Sequence, residues 1–316
     1  MMAHHLIPAR PESMVFGYLD ARIPPVLTVN SGDTVKLEAV PAGREDRLPP
    51  ECARVPPLYR AALAAHPGGF GSHFITGPVF VRGAEIGDTL QVEILSARPT
   101  INWGFVSIEP LAGTLPAVFD SAETVHPAID VQAGTMTWPW GGTLPLDPFF
   151  GILAVAPPPR WGRCISDVPR AFGGNMDNKE LRPGTMLYLP VFNEGALFMA
   201  GDGHGVQGDG EVCVTALETG LTGTFRLTVR KDYPVARPFA ESETHLIAIG
   251  LHEDLDDAAA QAVAEMIDHL SRRTRLTASQ AYMLCSLAGD LRVTQLVDGN
   301  KGVHMMLAKA HLPNAV

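Results

Sequence analysis

From residue 223 to 230 the chain alternates without a break. Phe225, Leu227 and Val229 share one face, and Arg226, Thr228 and Arg230 share the other. Successive side chains of a pleated strand point to opposite faces, so this period of two predicts a half-buried antiparallel strand. Alternation recurs in 26–40, where Val35, Leu37 and Ala39 oppose Lys36 and Glu38. It recurs again across 79–95, read as two strands broken by the turn G-A-E-I-G-D at 83–88. Further strands are expected at 152–156, 185–192, 196–200, 211–218 and 245–249. A chain patterned this way is mainly β and excludes a coiled coil or a long helical bundle. Composition agrees, because 31 Gly and 27 Pro in 316 residues supply many turns, and 46% hydrophobic residues are ample for a core.

Helical spacing is confined to a few places. Residues 256–273 carry Val263, Ile267 and Leu270 on one stripe, with Asp256 as the expected N-cap. Residues 278–288 follow Thr277, which forms a capping box with Gln280, and Gly289 is the expected stop. A short helix is read at 57–65. Proline-rich breaks fall at 41–57, 138–148 and 156–159. No fixed-period repeat is visible, so residues 1–316 are read as one domain with a sub-domain seam near 160 as an alternative.

Charge and cysteine content bound the partners. With 24 Lys and Arg against 34 Asp and Glu, the formal net charge is −10, which disfavours nucleic acid. The lysines (Lys36, Lys179, Lys231, Lys301 and Lys309) form no basic cluster for anionic lipid. No apolar run reaches the ~20 residues of a membrane span, and the opening MMAHHLIPARPES has no signal-like apolar stretch. Cys52, Cys164, Cys213 and Cys285 are widely spaced and read as reduced thiols of a cytoplasmic protein. The His4–His5 pair is expected to be disordered.

Chemistry-bearing residues collect in F-G-G-N-M-D-N-K-E-L (172–181) and G-D-G-H-G-V-Q-G-D-G-E-V (201–212). Glycine permits sharp turns and close backbone approach. Asp, His and Glu bind zinc and similar divalent ions, so Asp177, Asp202 and His204 are the expected metal ligands. Such an ion lowers the pKa of water to about 7. Glu211 or Glu218 is then the candidate general base, with Asn175 and Gln207 to orient a substrate. Asp202, His204 and Glu211 are the candidate catalytic residues. A plain hairpin turn at Asp209–Gly210 is the competing reading. The ligand types favour zinc over calcium, since the spacing is not that of an EF-hand loop. A G-x-S-x-G elbow, a G-x-x-x-x-G-K-[ST] loop and H-E-x-x-H are absent, and no G-x-G-x-x-G run opens a helix.

These two segments resemble the acetamidase/formamidase family. The resemblance rests on G-G-N-M-D-N-K (173–179) followed by L-Y-L-P-V-F-N-E-G-A-L-F-M-A-G-D-G-H-G-V-Q-G-D-G-E-V (187–212). Support extends through T-G-P-V-F-V-R-G-A-E-I-G-D-T-L (76–90), P-F-F-G-I-L-A-V-A-P (148–157) and S-L-A-G-D-L-R-V-T-Q-L-V-D-G-N-K-G-V-H (286–304). It implies a β-sandwich-like fold (jelly-roll or CUB-like) with a few helices, and hydrolysis of short aliphatic amides to carboxylate and ammonia. It also implies a cytoplasmic homo-oligomer, a dimer or tetramer. Residues 66–74 and 96–109 are less typical of the family, so a substrate larger than formamide or acetamide is considered. Trp103, Phe105, Phe149 and Phe172 are candidate pocket walls, with core packing as the plainer role. His66, His73, His126 and His304 could each reach the site, and Arg292 is expected in a buried ion pair. Two alternatives stay open: a metal-independent amidase using a carboxylate, and a non-catalytic protein in which metal only stabilises the fold.

Overall fold

The computed structural model describes residues 3–51 and 54–313, so Cys52 lies outside the described residues. The chain is mainly β, built on two large sheets. The first has nine strands in the order His4–Ile7, Thr34–Ala39, Leu221–Arg230, Thr89–Pro99, Met186–Pro190, Phe239–Glu241, His245–His252, Lys301–Ala308 and Gly289–Gln295. The second runs Gly173–Asn175, Phe149–Ala154, Phe198–His204, Phe74–Arg82 and Met14–Phe16, with Leu27–Asn30 pairing Phe74–Arg82 in parallel. Strands from both sides of residue 160 are interleaved in both sheets.

The alternation at 223–230 works as its chemistry demands. Leu221, Phe225 and Leu227 are buried, and they pack with Val35, Leu37 and Val92 of the same sheet and with Ile75, Val79, Ile152 and Phe198 of the other. This shared core makes the pair of sheets a sandwich. Phe149–Ala154 and Phe198–His204 are buried along their whole length and give most of their apolar side chains to this core; Trp103, Phe105 and Tyr59 of α1 (Pro57–Ala65) form a separate apolar centre with Met14, Phe16 and Phe74 of the second sheet.

The expected turn at 83–88 joins Phe74–Arg82 to Thr89–Pro99, and the other expected strands are present with shifted ends, with one exception. Residues 211–218 form no strand but a loop, since Glu211 and Val214 hold positive φ (45° and 89°) that a pleated strand cannot contain. The break at 138–148 contains a short strand, Thr143–Pro145. His4–His5 are ordered in the His4–Ile7 strand, paired parallel to Thr34–Ala39, and the His5 ring lies 3.3 Å from Asp33.

Two helices, α2 (Leu255–Arg273) and α3 (Ala278–Ala288), cover the outer end of the nine-stranded sheet. The cap of α2 is Asp254, not Asp256: its carboxylate accepts from the Asp256 and Asp257 amides at 2.9 and 3.2 Å. Its buried stripe is Ala258, Ala262, Met266 and Leu270, while Val263 and Ile267 are half-buried beside it. The Thr277–Gln280 capping box forms as expected. Gly289 leaves α3 at φ −92°, in extended backbone, because the chain runs directly into the Gly289–Gln295 strand.

Candidate active site

Three strands and two loops meet at one end of the six-stranded sheet. Asp202 and His204 stand on Phe198–His204, and Asp177 follows Gly173–Asn175. Phe149–Ala154 runs between them, pairing Phe150 with Gly203 and Ile152 with Gly201. The residue left between those pairs is Gly151. A Cβ there would lie 2.3 Å from both Asp177 Oδ1 and Asp202 Oδ2 and 2.9 Å from the His204 ring. The bare glycine is therefore what lets two carboxylates and an imidazole converge over one strand. Asp177, Asp202 and Glu211 all hold left-handed backbone (φ 46°, 59° and 45°), a conformation that costs energy outside glycine and clusters where function demands it.

His204 is the hub. Its Nε2 lies 3.0 Å from Asp202 Oδ2, 3.2 Å from Glu218 Oε1 and 3.8 Å from Asp177 Oδ1. Glu218 arrives from the 211–218 loop, which bridges to both His204 and Phe105. On the other side of the ring, Nδ1 is 2.9 Å from Gln207 Oε1, and Gln207 Nε2 donates to the Asp177 carbonyl at 2.7 Å. A carbonyl only accepts, so the amide orientation is fixed, and Oε1 must receive the Nδ1 proton. Nε2 thus faces the carboxylates. His73 adds a second ring, 3.9 Å from Asp202 and held from behind by Ser166 at 3.0 Å and Asp167 at 3.3 Å.

These groups line a cavity of about 300 Å³. Its depth holds Asn175, Asp202, His204, Glu211, Glu218 and Asp298, and Asp177 is buried immediately behind. No Lys or Arg pairs with these carboxylates among the described residues. Burial therefore drives several of them up: Asp177 to about 6, with Asp202 adding repulsion, and Glu218 to about 7. Glu211 and Asp298 rise well above the ordinary carboxylate range, through burial first and then repulsion from Asp177. Burial also pushes Asp202 up, but His204 and His73 outweigh it and hold that carboxyl below its usual range. Burial lowers both histidines, yet Glu218 and Asp202 raise His204 well above its ordinary value, and Asp202 and Asp167 raise His73.

The donor set fits a divalent cation. Oxygen atoms of Asn175, Asp177, Asp202, Glu211 and Glu218 are buried without a hydrogen-bond partner, which is costly unless a cation or proton compensates. Ligand atoms of Asp177, His204 and Glu211, and those of Asp202, His204 and Glu218, each lie within 4.8 Å of one another.

Of the residues anticipated from sequence, Asp177, Asp202, His204 and Glu211 come together, and Glu218 and His73 join them. Asn175 lines the cavity. Gln207, expected to contact substrate, has both ends of its amide taken by protein and lies behind His204. Phe105 lines the cavity and Phe149 packs edge-on to His204, with ring centroids 5.0 Å apart, whereas Trp103 and Phe172 are core. His66, His126 and His304 bond elsewhere, to Pro11, Arg47 and Thr294. The Arg292–Glu180 pair forms at 3.2 Å, with the arginine half-exposed rather than buried. Gly151 and Asp298 were missed. The signal for the first is a glycine inside the apolar run F-F-G-I-L-A; the second reads as an ordinary D-G-N turn.

The chain resembles solved structures over nearly its whole length. It is 32% identical to the acetamidase of Bacillus halodurans (TM-score 0.83, covering 96% of this chain and 98% of that one). It is 27% identical to the acetamidase of Yersinia enterocolitica (TM-score 0.85, covering 99% and 94%). The formamidase of Methylophilus methylotrophus is 31% identical over 192 residues, 44% of this chain and 47% of that protein. The matches span about half the length of the curated relatives, or less. The acetamidase/formamidase family pattern fits residues 12–161 and 162–315, and those stretches contain every strand and loop that builds the acidic cavity. The chain belongs to the acetamidase/formamidase family.

Proposed function

We propose that this protein hydrolyses the amide bond of a small linear amide, giving a carboxylate and ammonia. The observation that carries the reading is the excess of buried carboxylates around His204, with unpartnered oxygens aimed into a small cavity. A cation would relieve that excess, and Asp177, Asp202 and His204 are the residues to hold it, with Glu218 beside them. Nitrogen and carboxylate donors together favour zinc over calcium. A bound divalent ion supplies Lewis acidity toward the carbonyl and acidifies water.

The chain's own groups carry the proton and the substrate. Glu211, buried on the same cavity, accepts a proton from water at its carboxylate and returns it to the departing nitrogen. Asn175 offers an amide to the substrate carbonyl or amine. Gln207 holds the His204 ring so that Nε2 faces the carboxylates. Phe105 and Phe149 limit water at the reacting end. We read the chain as one domain, because both sheets interleave its two halves. A homo-oligomer is supported by the apolar outer side of α3, where Tyr282, Met283 and Leu287 are exposed. A reducing, cytoplasmic setting is consistent with free Cys164, Cys213 and Cys285. Among the described residues no helix is long and apolar enough to cross a membrane.

The test is ammonia release from formamide, acetamide and longer amides by protein of known metal content, before and after chelation and zinc add-back. Turnover lost on chelation and restored by zinc is expected. Full turnover after complete metal removal would overturn the metal role, and no ammonia from any amide would overturn the activity.

A further inference from the structure

The cavity is larger than the smallest amides need. About 300 Å³ corresponds to about ten waters at ~30 Å³ each, whereas acetamide has four heavy atoms. Apolar side chains of Phe105, Val168, Val214 and Val297 share the lining with the acidic groups. The same lining includes a partly exposed ion pair, Arg47 with Glu109, and Arg47 is the sole Lys or Arg among the described lining residues.

Arg47 is held in place. Its Nη1 donates to Ser107 Oγ and Thr124 Oγ1, both at 3.1 Å, and its Nη2 donates to Glu109 Oε1 at 2.6 Å. Its Nε lies 3.3 Å from Asp46, and the His126 ring donates to its carbonyl at 2.9 Å. Gly43, at φ +76°, makes room for the stem: a Cβ there would lie 2.4 Å from Arg47 Cγ. A guanidinium has five N–H donors. Three are hydrogen-bonded to Ser107, Thr124 and Glu109 and Nε faces Asp46 at 3.3 Å, so one Nη2 N–H has no partner among the described residues, nor has Glu109 Oε2.

A free N–H beside a free carboxylate oxygen is the complement of a primary amide: the first donates to C=O, and the second accepts from N–H. The geometry points to Arg47 and Glu109 as specificity-determining residues that bind the second amide of a short diamide while its first amide is hydrolysed in the acidic depth. This rests on the amidase reading. A neutral diamide also suits a cavity rich in carboxylates better than an amide ending in a carboxylate would.

The test compares kcat/KM for succinamide, for its apolar isostere isocaproamide and for succinamate, in the unmodified protein and in Glu109→Gln. Glutamine keeps an oxygen for Arg47 but turns the free acceptor into a donor. The unmodified protein is expected to prefer succinamide over isocaproamide by about tenfold or more. Glu109→Gln should cut that ratio about tenfold and raise succinamate relative to succinamide. Because each ratio is internal to one protein, loss of folded material does not mimic it. Turnover of acetamide with no succinamide preference, or ratios unchanged in Glu109→Gln, overturns this inference and leaves the amidase reading intact. No ammonia from any amide overturns both.

Discussion

Glu218 and Glu241 are both buried carboxylates close to a histidine, and their surroundings push them in opposite directions. Burial raises Glu218 to about 7, with His204 as its nearest compensation and Asp202 as a competitor. Burial also pushes Glu241 up, but there it loses: the Tyr188 hydroxyl donates to Glu241 at 2.5 Å, Lys309 sits at 2.9 Å and Arg273 at 3.3 Å, and the carboxyl falls to about 2. The Glu241 cluster is paid in full by cations and packs beneath α2. The Glu218 cluster has no such partner and opens to a cavity. Burial alone therefore does not mark a functional carboxylate. What marks it is a charge that its own neighbours leave unbalanced.

That contrast is most sharply tested at its acidic end. His204→Ala and Asp202→Ala should each lower amide turnover by about 10³-fold or more, the upper part of what a positioned proton-handling group contributes, with bound metal falling in parallel. Retained turnover in both variants would remove this cluster from the chemistry. Gly151→Ala should follow at about 10²-fold, because a methyl group wedged against Asp177 and Asp202 shifts the reacting constellation. Wild-type rates in that variant would mean that the close approach at Gly151 does not matter.

At the balanced end the effects should fall on stability and spare turnover. Glu241→Gln leaves Arg273 and Lys309 facing a neutral group, and since both cations keep contact with solvent it should cost about 1–2 kcal/mol, read by urea unfolding, with kcat of the folded fraction unchanged. The same region gives a pH dependence. Burial first, and then Arg273, lower the His269 ring to about 3. Its folded pKa lies below the unfolded value of 6.5, so the unfolded chain binds the proton first. Its contribution is full above pH 6.5 and is lost as pH falls toward 3. Between pH 6.5 and 5 this amounts to about 2 kcal/mol for one proton. His269→Gln should flatten the stability–pH curve by that amount, and superimposable slopes for the two proteins would refute it.

The two regions also differ in how far the sequence reveals them. Around α2 and α3, local rules and global structure largely agree: the helical periodicity and the Thr277–Gln280 capping box read correctly, while the α2 cap falls two residues from the expected Asp256. Around the site, local rules are broken on purpose. Val212, Val214 and Ala216 alternate as a strand would, yet Glu211 and Val214 turn left-handed and the segment wraps over the cavity. The glycine-rich motif announced Asp177, Asp202, His204 and Glu211 through residue type and density. Asp298 stayed hidden because an aspartate in a D-G-N turn gives no hint of which way it faces. Gly151 is explained only by side chains from two other strands.

The smallest effect concerns a place where the sequence pointed to the wrong neighbour. The sequence reading places the α2 cap at Asp256, two residues past the aspartate that serves as the cap. The structure gives Asp254 the extended backbone of a cap (φ −94°, ψ 134°) and the two amide hydrogen bonds, while Asp256 is already helical. Asp254→Ala should therefore cost about 1 kcal/mol, the usual loss for a side-chain cap. Asp256→Ala removes only a favourable first-turn charge, worth about 0.5 kcal/mol at an exposed site. Salt separates them further, since the charge effect is screened and the two hydrogen bonds persist. Urea unfolding of both variants at low and high ionic strength reads this directly. Equal losses at low salt that vanish together at high salt would show that α2 is held at this end by charge and not by its cap.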